Sequence, residues 1–144
     1  MKLLSIVVVA LLMAGGLAGG AGHAQTGTLD AADRAAIKRV IDDQIAAFRR
    51  DDGAAAFALA SPGIQATFGT PEAFMVMVRR GYQPVYRPRR VRFGAVVMRD
   101  WGPEQQVFVV GPDGRPYIAV YPMQRQADGT WKTNGCYLER PKSA

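Results

Sequence analysis

The sequence of 144 residues is poor in the side chains that most often perform chemistry, with one cysteine, Cys136, and one histidine, His23. A single cysteine excludes a disulfide bond within the chain. Because an exposed lone thiol is reactive in an oxidising compartment, we expect Cys136 to be a buried core thiol. A redox-active or covalently modified thiol is the alternative.

The N-terminal residues have the pattern of an export signal that is removed. Lys2 precedes an uncharged apolar run over residues 3–14, and Gly22 and Ala24 have the small-x-small spacing of a cleavage site. The run is shorter than the roughly 20 residues needed to cross a membrane core. We predict a signal peptide over residues 1–24 and a single domain over residues 25–144, which is soluble in the periplasm or secreted.

Removal of the signal also removes His23, and this loss restricts the chemistry of the mature chain. Without an imidazole, the usual general base near neutral pH is missing, as are Cys–His and Ser–His pairs and the commonest zinc ligand sets. The remaining serines, Ser61 and Ser143, lie before a proline and in the C-terminal tail. We therefore expect no catalytic residue, no metal site and no cofactor.

Acidic residues are absent between Glu72 and Asp100, and the centre of this interval is strongly basic. The segment VRRGYQPVYRPRRVRFG over residues 78–94 contains six arginines: Arg79, Arg80, Arg87, Arg89, Arg90 and Arg92. These arginines either satisfy a helix end and a solvated sheet face, or they bind an anion. The formal net charge of +6 favours anionic partners without identifying them.

The first half of the domain has helical spacing. DAADRAAIKRVIDDQIAAFRR, over residues 30–50, places three isoleucines and Phe48 on one helix face. A second helix is predicted over residues 54–61 and is ended by Ser61-Pro62-Gly63. A third runs from an N-cap at Thr70 to Gly81. Pro84 and Pro88 predict an extended connector over residues 82–88.

The second half alternates in the manner of strands, which we predict over residues 89–99, 105–110, 115–126 and 130–140. Short turn-rich connections make these strands an antiparallel meander, and Pro122 predicts a bulge or an edge in the third strand. Helices followed by such a meander indicate an α+β domain, with the N-terminal helices packed on a curved four-stranded antiparallel sheet.

The carboxylates fall mostly outside this predicted core. We place Asp100, Glu104, Asp113 and Asp128 in strand connections, which leaves Glu139 as the one acid within a strand. No pair of carboxylates has the spacing of a metal site or of a catalytic acid and base. The positions of the acidic residues therefore favour a binding protein over an enzyme.

One segment carries a resemblance to a known superfamily. IAAFRRDDGAAAFALASP, over residues 45–62, resembles the opening of nuclear transport factor two-like domains, which are also called SnoaL-like or ketosteroid-isomerase-like. The segments over residues 60–89, 111–131 and 134–138 resemble a family of small exported bacterial proteins of unknown function. The resemblance implies a cystatin-like, cone-shaped fold, in which a curved sheet wraps around helices and encloses an apolar cavity. It implies no particular activity.

We interpret the protein as a non-catalytic exported domain with an apolar cavity and an arginine-rich rim. Its expected partner is a small amphipathic or anionic ligand, an envelope protein or an anionic membrane surface. Nucleic acid is not expected, because the chain is predicted to be exported and lacks a reading motif. The predicted ligand-binding residues are Arg79, Tyr82, Tyr86, Arg90, Arg92, Tyr121 and Cys136.

Two alternatives stay open. The first is a small ketosteroid-isomerase-like enzyme that uses a pocket carboxylate or a tyrosine, with Tyr117, Tyr121 or Tyr137 donating to a developing oxyanion. A buried acid within about 3 Å of a pocket tyrosine would favour this enzyme. The second alternative is a structural homodimer joined through the open face of the sheet.

Overall fold

The computed structural model describes residues 29–143, so the predicted signal peptide and His23 lie outside the described residues. Five helices precede five strands, which confirms the predicted α+β class with N-terminal helices. The elements are α1 (Ala31–Arg49), α2 (Gly53–Ala58), α3 (Pro62–Phe68), α4 (Pro71–Gly81), α5 (Gln83–Tyr86), β1 (Arg90–Arg99), β2 (Gly102–Val110), β3 (Pro116–Arg125), β4 (Trp131–Thr133) and β5 (Tyr137–Glu139). Within the described range, every helix is too short or too polar to cross a membrane.

Helix α1 forms where the sequence predicts it and supplies one wall of the core. Its first turn is closed by a capping box, in which the Asp30 carboxylate accepts from the Asp33 backbone N–H at 2.7 Å and the Asp33 carboxylate accepts from Asp30. Ile37, Ile41 and the rest of the predicted stripe are buried, as amphipathic spacing requires. Helix α4 is also confirmed, with the Thr70 hydroxyl accepting from the Ala73 backbone N–H at 3.1 Å.

Two local predictions around prolines are wrong. Ser61-Pro62-Gly63 ends no helix, because the Ser61 hydroxyl accepts from the Ile64 backbone N–H at 3.4 Å and caps the start of α3. The predicted extended connector over residues 82–88 contains α5, with Pro84 in its first turn. A proline in a first turn loses no helical hydrogen bond, so it is compatible with starting a helix.

The sheet is antiparallel and has five strands where four were expected, because the predicted last strand is broken. Strands β1, β2 and β3 pair in order, and both β4 and β5 pair with β3 along its other edge. The break at residues 134–136 includes Gly135, whose φ of 114° suits glycine. It lies opposite Pro122, where the sequence predicts an irregularity, and the Asn134 backbone N–H donates to the Pro122 carbonyl at 2.7 Å.

The sheet has an inner face that packs against the helices and an outer face that points away from them. Val107 and Val109 on β2 and Ala119 and Tyr121 on β3 are buried in the core with the helices. Side chains alternate along a strand, so Phe108 on β2 and Val120 on β3, which lie between these pairs, belong to the outer face. The inner face therefore forms the floor of any cavity beneath the helices.

Candidate ligand cavity and the neighbouring polar clusters

A cavity of about 230 Å³ lies between the helices and the inner face of the sheet. Its wall on the helix side is aromatic, with Phe48 from α1, Phe68 from α3 and Phe74 from α4. The ring centroids of Phe68 and Phe74 are 5.7 Å apart in an edge-to-face arrangement, and those of Phe48 and Phe74 are 6.2 Å apart. Such aromatic pairs fix the shape of the wall.

The floor of the cavity carries a buried hydroxyl without a partner. Tyr121 on β3 is 1% exposed, and its hydroxyl has no hydrogen-bond partner among residues 29–143. Burial, followed by the nearby Cys136 thiol, raises the pKa of Tyr121 well above its usual value. The Cys136 sulfur is a weak partner that does not reach the geometry of a full hydrogen bond. The phenol therefore stays protonated and keeps one hydrogen to donate.

Cys136 forms part of the same wall, within the break between β4 and β5. The residue is half-buried, and burial raises the pKa of its thiol to about 12. A neutral thiol is a poor nucleophile and a weak hydrogen-bond donor. Cys136 packs against the core as a half-buried side chain, so its role as a buried core thiol stays a prediction.

The other polar side chains of the wall already have structural roles. The Gln44 amide donates to the Ala56 carbonyl at 3.0 Å, and the Thr133 hydroxyl donates to the Leu59 carbonyl at 3.3 Å. Burial, then Cys136, raises the pKa of Tyr82. No Asp, Glu, Lys or Arg from the described part of the chain lines the cavity. Its interior is therefore neutral and almost entirely apolar.

The seven residues that the sequence proposes for ligand binding occupy three separate places. Tyr82, Tyr121 and Cys136 line the cavity together. Arg79 and Tyr86 belong to a cluster around Asp51, and Arg90 and Arg92 lie exposed on β1. The arginines and Tyr86 do not line the cavity, so the expected arginine rim is not formed by these side chains.

The Asp51 cluster accounts for two of the six arginines of the basic segment, Arg79 and Arg87. The Asp51 carboxylate accepts from the Tyr86 hydroxyl and from Arg87 Nη2 at 2.8 Å, and Arg79 Nη2 lies 3.6 Å away. The bond from Tyr86, followed by the charge of Arg87, lowers the pKa of Asp51. Arg79 and Arg87 therefore pair with an acid that lies about 30 positions earlier in the chain. Such a long-range pair cannot be predicted from neighbouring residues in the sequence.

The buried carboxylate of Glu104 contradicts its predicted place. Glu104 was expected in a strand connection, but it lies within β2 and is 2% exposed. It accepts from Arg99 Nε at 3.2 Å, Trp101 Nε1 at 3.2 Å and the Tyr137 hydroxyl at 2.9 Å. The WGPE sequence has the composition of a turn, so local pattern does not predict that Glu104 lies in a strand. Its donors include Tyr137, which is 33 positions away in sequence.

Glu104 does not make the cavity a carboxylate site. Its tyrosine partner, Tyr137, lies outside the cavity lining, and partial burial and the bond to Glu104 raise the pKa of Tyr137. Among residues 29–143, His, Cys, Asp and Glu form no cluster of three that is arranged to hold a metal ion. The Glu104 carboxylate therefore lies in a different environment from the Cys136 thiol and the Tyr121 hydroxyl, which line the cavity together.

Three comparisons with known proteins bear on these sites. A family model described as a domain of unknown function (DUF4864) matches residues 30–144. No curated protein matches the chain. Among solved structures, the chain is similar to the 1.8 Å structure of Aln2 from a Streptomyces species, with 17% identity over 79% of this chain and 94% of that one and a TM-score of 0.49. A likeness of this size carries no argument about function.

Proposed function

The chain belongs to the family described as a domain of unknown function (DUF4864), and we propose that its cavity binds a small, neutral and largely apolar molecule. The observation that carries the proposal is the Tyr121 hydroxyl, which is buried in an apolar cavity with no protein partner among the described residues. A ligand with a carbonyl or ether oxygen would accept a stronger hydrogen bond from Tyr121 than the neighbouring Cys136 sulfur can.

The energetic cost of that hydroxyl supports a role in binding. A buried hydroxyl without a hydrogen bond destabilises a fold by about 1–3 kcal/mol. Phenylalanine would fill the same position in β3 without this penalty. Because the pKa of Tyr121 is raised, the group stays a donor over the whole neutral range. The hydroxyl hydrogen of Tyr121 therefore favours ligands that carry a hydrogen-bond acceptor.

The volume of the cavity limits the size of the proposed ligand, and the absence of charged residues from its lining limits the ligand's charge. A space of about 230 Å³ is larger than a dry cavity that holds benzene, which is about 150 Å³. A molecule with one ring and a short substituent therefore fits. A charged head inside the cavity would be desolvated with no arginine or lysine of the lining to pair with it. We therefore favour a neutral ligand over the anionic one that the sequence suggests.

Catalysis has less support than binding. The groups of the lining that titrate are Tyr82, Tyr121 and Cys136, and the pKa of each is raised, so all three hold their protons near neutral pH. Proton abstraction needs a base that is poised near the working pH. A tyrosine that donates without a base is suited to holding a ligand.

The N-terminal sequence adds a proposal about location. The apolar run and the small-x-small site predict export, so the ligand would be a molecule of the cell envelope or its surroundings. Fractionation of the native cells, combined with sequencing of the mature N-terminus, tests this point. A chain that retains Met1 and stays in the cytoplasm would contradict the predicted export without affecting the cavity.

A matched set of probes tests the proposed ligand class. Acetophenone carries a carbonyl acceptor, α-methylstyrene has nearly the same shape without an acceptor, and benzoate adds a charge. We expect the protein to bind acetophenone more tightly than α-methylstyrene by about 3–10-fold, as one hydrogen bond provides. Benzoate is expected to bind most weakly. Isothermal calorimetry and amide chemical shifts of the cavity residues measure these affinities.

The variant Tyr121→Phe removes only the hydroxyl and should abolish the preference for acetophenone. Tyr137→Phe makes the same chemical change outside the cavity and should leave the preference intact. If none of the probes binds, or if Tyr121→Phe retains the full preference, the proposed function is wrong.

A further inference from the structure

A second cleft opens at the start of α1 and shares no lining residue with the cavity beneath the helices. Its volume is about 410 Å³, and its walls come from the first turn of α1, the β1–β2 hairpin, the end of β3 and the start of β4. Met98, Trp101, Met123 and Trp131 supply much of its apolar lining, beside charged groups at the start of α1 and on β3. Such a mixed lining suits a ligand with an apolar body and one charged or polar group.

Trp101 is the most exposed large hydrophobic side chain of the described residues, with 70% of its surface accessible. It lies in the two-residue turn between Arg99 and Gly102, which pair with each other at the end of the hairpin. Its indole Nε1–H donates to the buried Glu104 carboxylate at 3.2 Å. The ring is therefore held in one orientation while much of its surface remains open to a ligand.

Many aromatic rings outside the centre of the core are covered by a cation of the protein. Five rings have a lysine or arginine within about 6 Å of the centroid: Tyr86 with Arg87, Phe93 with Lys38, Phe108 with Arg92, Tyr117 with Arg140, and Trp131 with Arg125. Within residues 29–143, no such contact involves Trp101. Because indole attracts cations more strongly than phenol or benzene rings do, the exposed ring of Trp101 is available to a cation from another molecule.

The charges of the cleft lining favour a cation, although the chain as a whole is basic. Asp33 pairs with Arg125, and its carboxylate also accepts from the Trp131 indole Nε1 at 3.3 Å. Asp30 accepts from the Asp33 backbone N–H at 2.7 Å and takes part in no salt bridge of the described residues. The lining therefore contains one carboxylate that no cation of the described chain balances.

The exposed arginines of β1 lie too far away to cancel this charge. Met98, the β1 residue of the cleft, follows Arg92 by six positions. At about 3.3 Å per residue this separation is about 20 Å, which is about twice the Debye length at physiological ionic strength. Their repulsion of a cation in the cleft is therefore largely screened.

The composition of the walls selects a diffuse cation over a compact one. A primary ammonium carries three N–H donors that each need an acceptor, whereas the walls beside the indole are thioether, proline and aromatic groups. A quaternary ammonium has no donor to satisfy, and its methyl groups make favourable contacts with aromatic faces. A space of about 410 Å³ also holds the body to which such a group is attached.

We propose that this cleft binds a small quaternary ammonium compound, with its cationic head against the Trp101 ring and its charge balanced by Asp30. Met98 and Met123 supply apolar contacts for the rest of the molecule. The cleft and the cavity that contains Tyr121 have separate linings. The two proposed sites are therefore independent, and either can fail alone.

Three small probes test the ligand class. Choline carries the quaternary head, 3,3-dimethylbutan-1-ol has the same shape without the charge, and ethanolamine has the charge without the methyl groups. We expect choline to bind about 5–30-fold more tightly than the neutral alcohol, as a cation–π contact provides, and more tightly than ethanolamine. Isothermal calorimetry at constant ionic strength, with titration to about 20 mM because such small ligands bind near the millimolar range, measures the affinities. The Trp101 indole N–H resonance should shift with choline.

Substitutions separate the contribution of the ring from that of the charge. Trp101→Leu removes the aromatic face and should reduce the affinity for choline to about that of the neutral alcohol, while Trp101→Phe should retain part of it. Asp30→Asn keeps a good N-cap residue and removes the charge, so it should weaken choline and leave the alcohol unchanged. Asp42→Asn, an exposed change on α1 outside the lining, is the control and should alter neither affinity. Circular dichroism checks that each variant is folded.

A trimethylammonium group occurs both in free solutes and in the headgroups of choline lipids. Sedimentation with phosphatidylcholine vesicles distinguishes these sources, with Trp101→Leu as the reference. Wild type that sediments with the vesicles more than Trp101→Leu does would indicate a headgroup. Choline binding without such sedimentation would indicate a free solute.

Several results would overturn this site. Choline that does not bind, or that binds no more tightly than the neutral alcohol, contradicts a cation site. Full affinity for choline in Trp101→Leu shows that the ring is not used, and ethanolamine that binds as tightly as choline contradicts the quaternary class. Tyr121→Phe should leave choline binding unchanged, so a failure here is distinguishable from a failure of the ligand cavity.

Discussion

Each face of the sheet contains a buried polar side chain, Tyr121 on the inner face and Glu104 on the outer face, and the two differ in their hydrogen bonds. On the inner face, the Tyr121 hydroxyl lies in the wall of the apolar cavity and makes no hydrogen bond of normal geometry among residues 29–143. On the outer face, the Glu104 carboxylate is equally buried but receives three hydrogen bonds. A buried polar group with hydrogen-bond partners contributes to the stability of the fold. A buried polar group without them lowers that stability, which suggests that it serves a function such as binding.

This comparison is most strongly tested at Glu104. Glu104→Gln preserves the shape of the side chain and removes the charge that strengthens its bonds to Arg99, Trp101 and Tyr137. We expect a loss of about 1–3 kcal/mol in the free energy of unfolding, measured by urea denaturation. Asp42→Asn, on the exposed side of α1, should change it little. Equal losses in the two variants would remove the contrast between the faces.

The second prediction compares one chemical change at two tyrosines. Tyr121→Phe removes a hydroxyl without a partner, so the free protein should be unchanged or more stable by about 1 kcal/mol. Tyr137→Phe removes the donor that lies 2.9 Å from Glu104 and should destabilise by about 1 kcal/mol. Thermal and urea unfolding of both variants measure the two signs. Destabilisation by Tyr121→Phe would mean that its hydroxyl already has a partner in solution.

The third prediction uses alkaline pH to examine the inner face. The pKa of Cys136 is raised from 9.0 to about 12, so the folded state holds the thiol proton more tightly than the unfolded state does. This contribution is fully present below about pH 9 and is lost as pH rises towards about 12, with a slope of at most about 1.4 kcal/mol per unit. Between about pH 9 and pH 11, wild type should therefore lose more stability than Cys136→Ala. Parallel curves for the two proteins would contradict the buried thiol.

The smallest expected effect lies at the exposed Asp51 cluster. Its lowered pKa stabilises the fold above about pH 4, and the contribution is lost as pH falls through the folded value. Asp51→Asn removes this dependence, and asparagine tolerates the φ of 54° at this position. The difference in Tm between about pH 7 and pH 3 should be smaller in Asp51→Asn than in wild type. An unchanged difference would show that the cluster contributes no pH-dependent stability.

The sequence predicts elements whose signals are local and misses contacts between distant residues. The caps at Asp30 and Thr70 and the isoleucine stripe of α1 lie within a few positions of the helices that they define, so both helices are predicted correctly. The sequence pattern predicts that Ser61 and Pro62 end a helix, although the same residue types also begin helices, as they do at α3. Local patterns alone do not distinguish these two cases.

The candidate site was predicted only in part for a similar reason. Alternation along β3 and the apolar setting of Cys136 suffice to suggest that Tyr121 and Cys136 line a cavity, and they do. The arginines were assigned to its rim because no acid lies near them in sequence. Asp51 reaches them through the turn after α1, a contact that depends on tertiary packing.

The interruption at residues 134–136 separates two functions of one strand. Strands β4 and β5 each hold their own register on β3, while Gly135 and Cys136 between them supply part of the cavity wall. An insertion or a deletion within this short segment would leave the paired residues on both sides in place. The fold thus provides a point where the size of the cavity can be redesigned without rebuilding the scaffold.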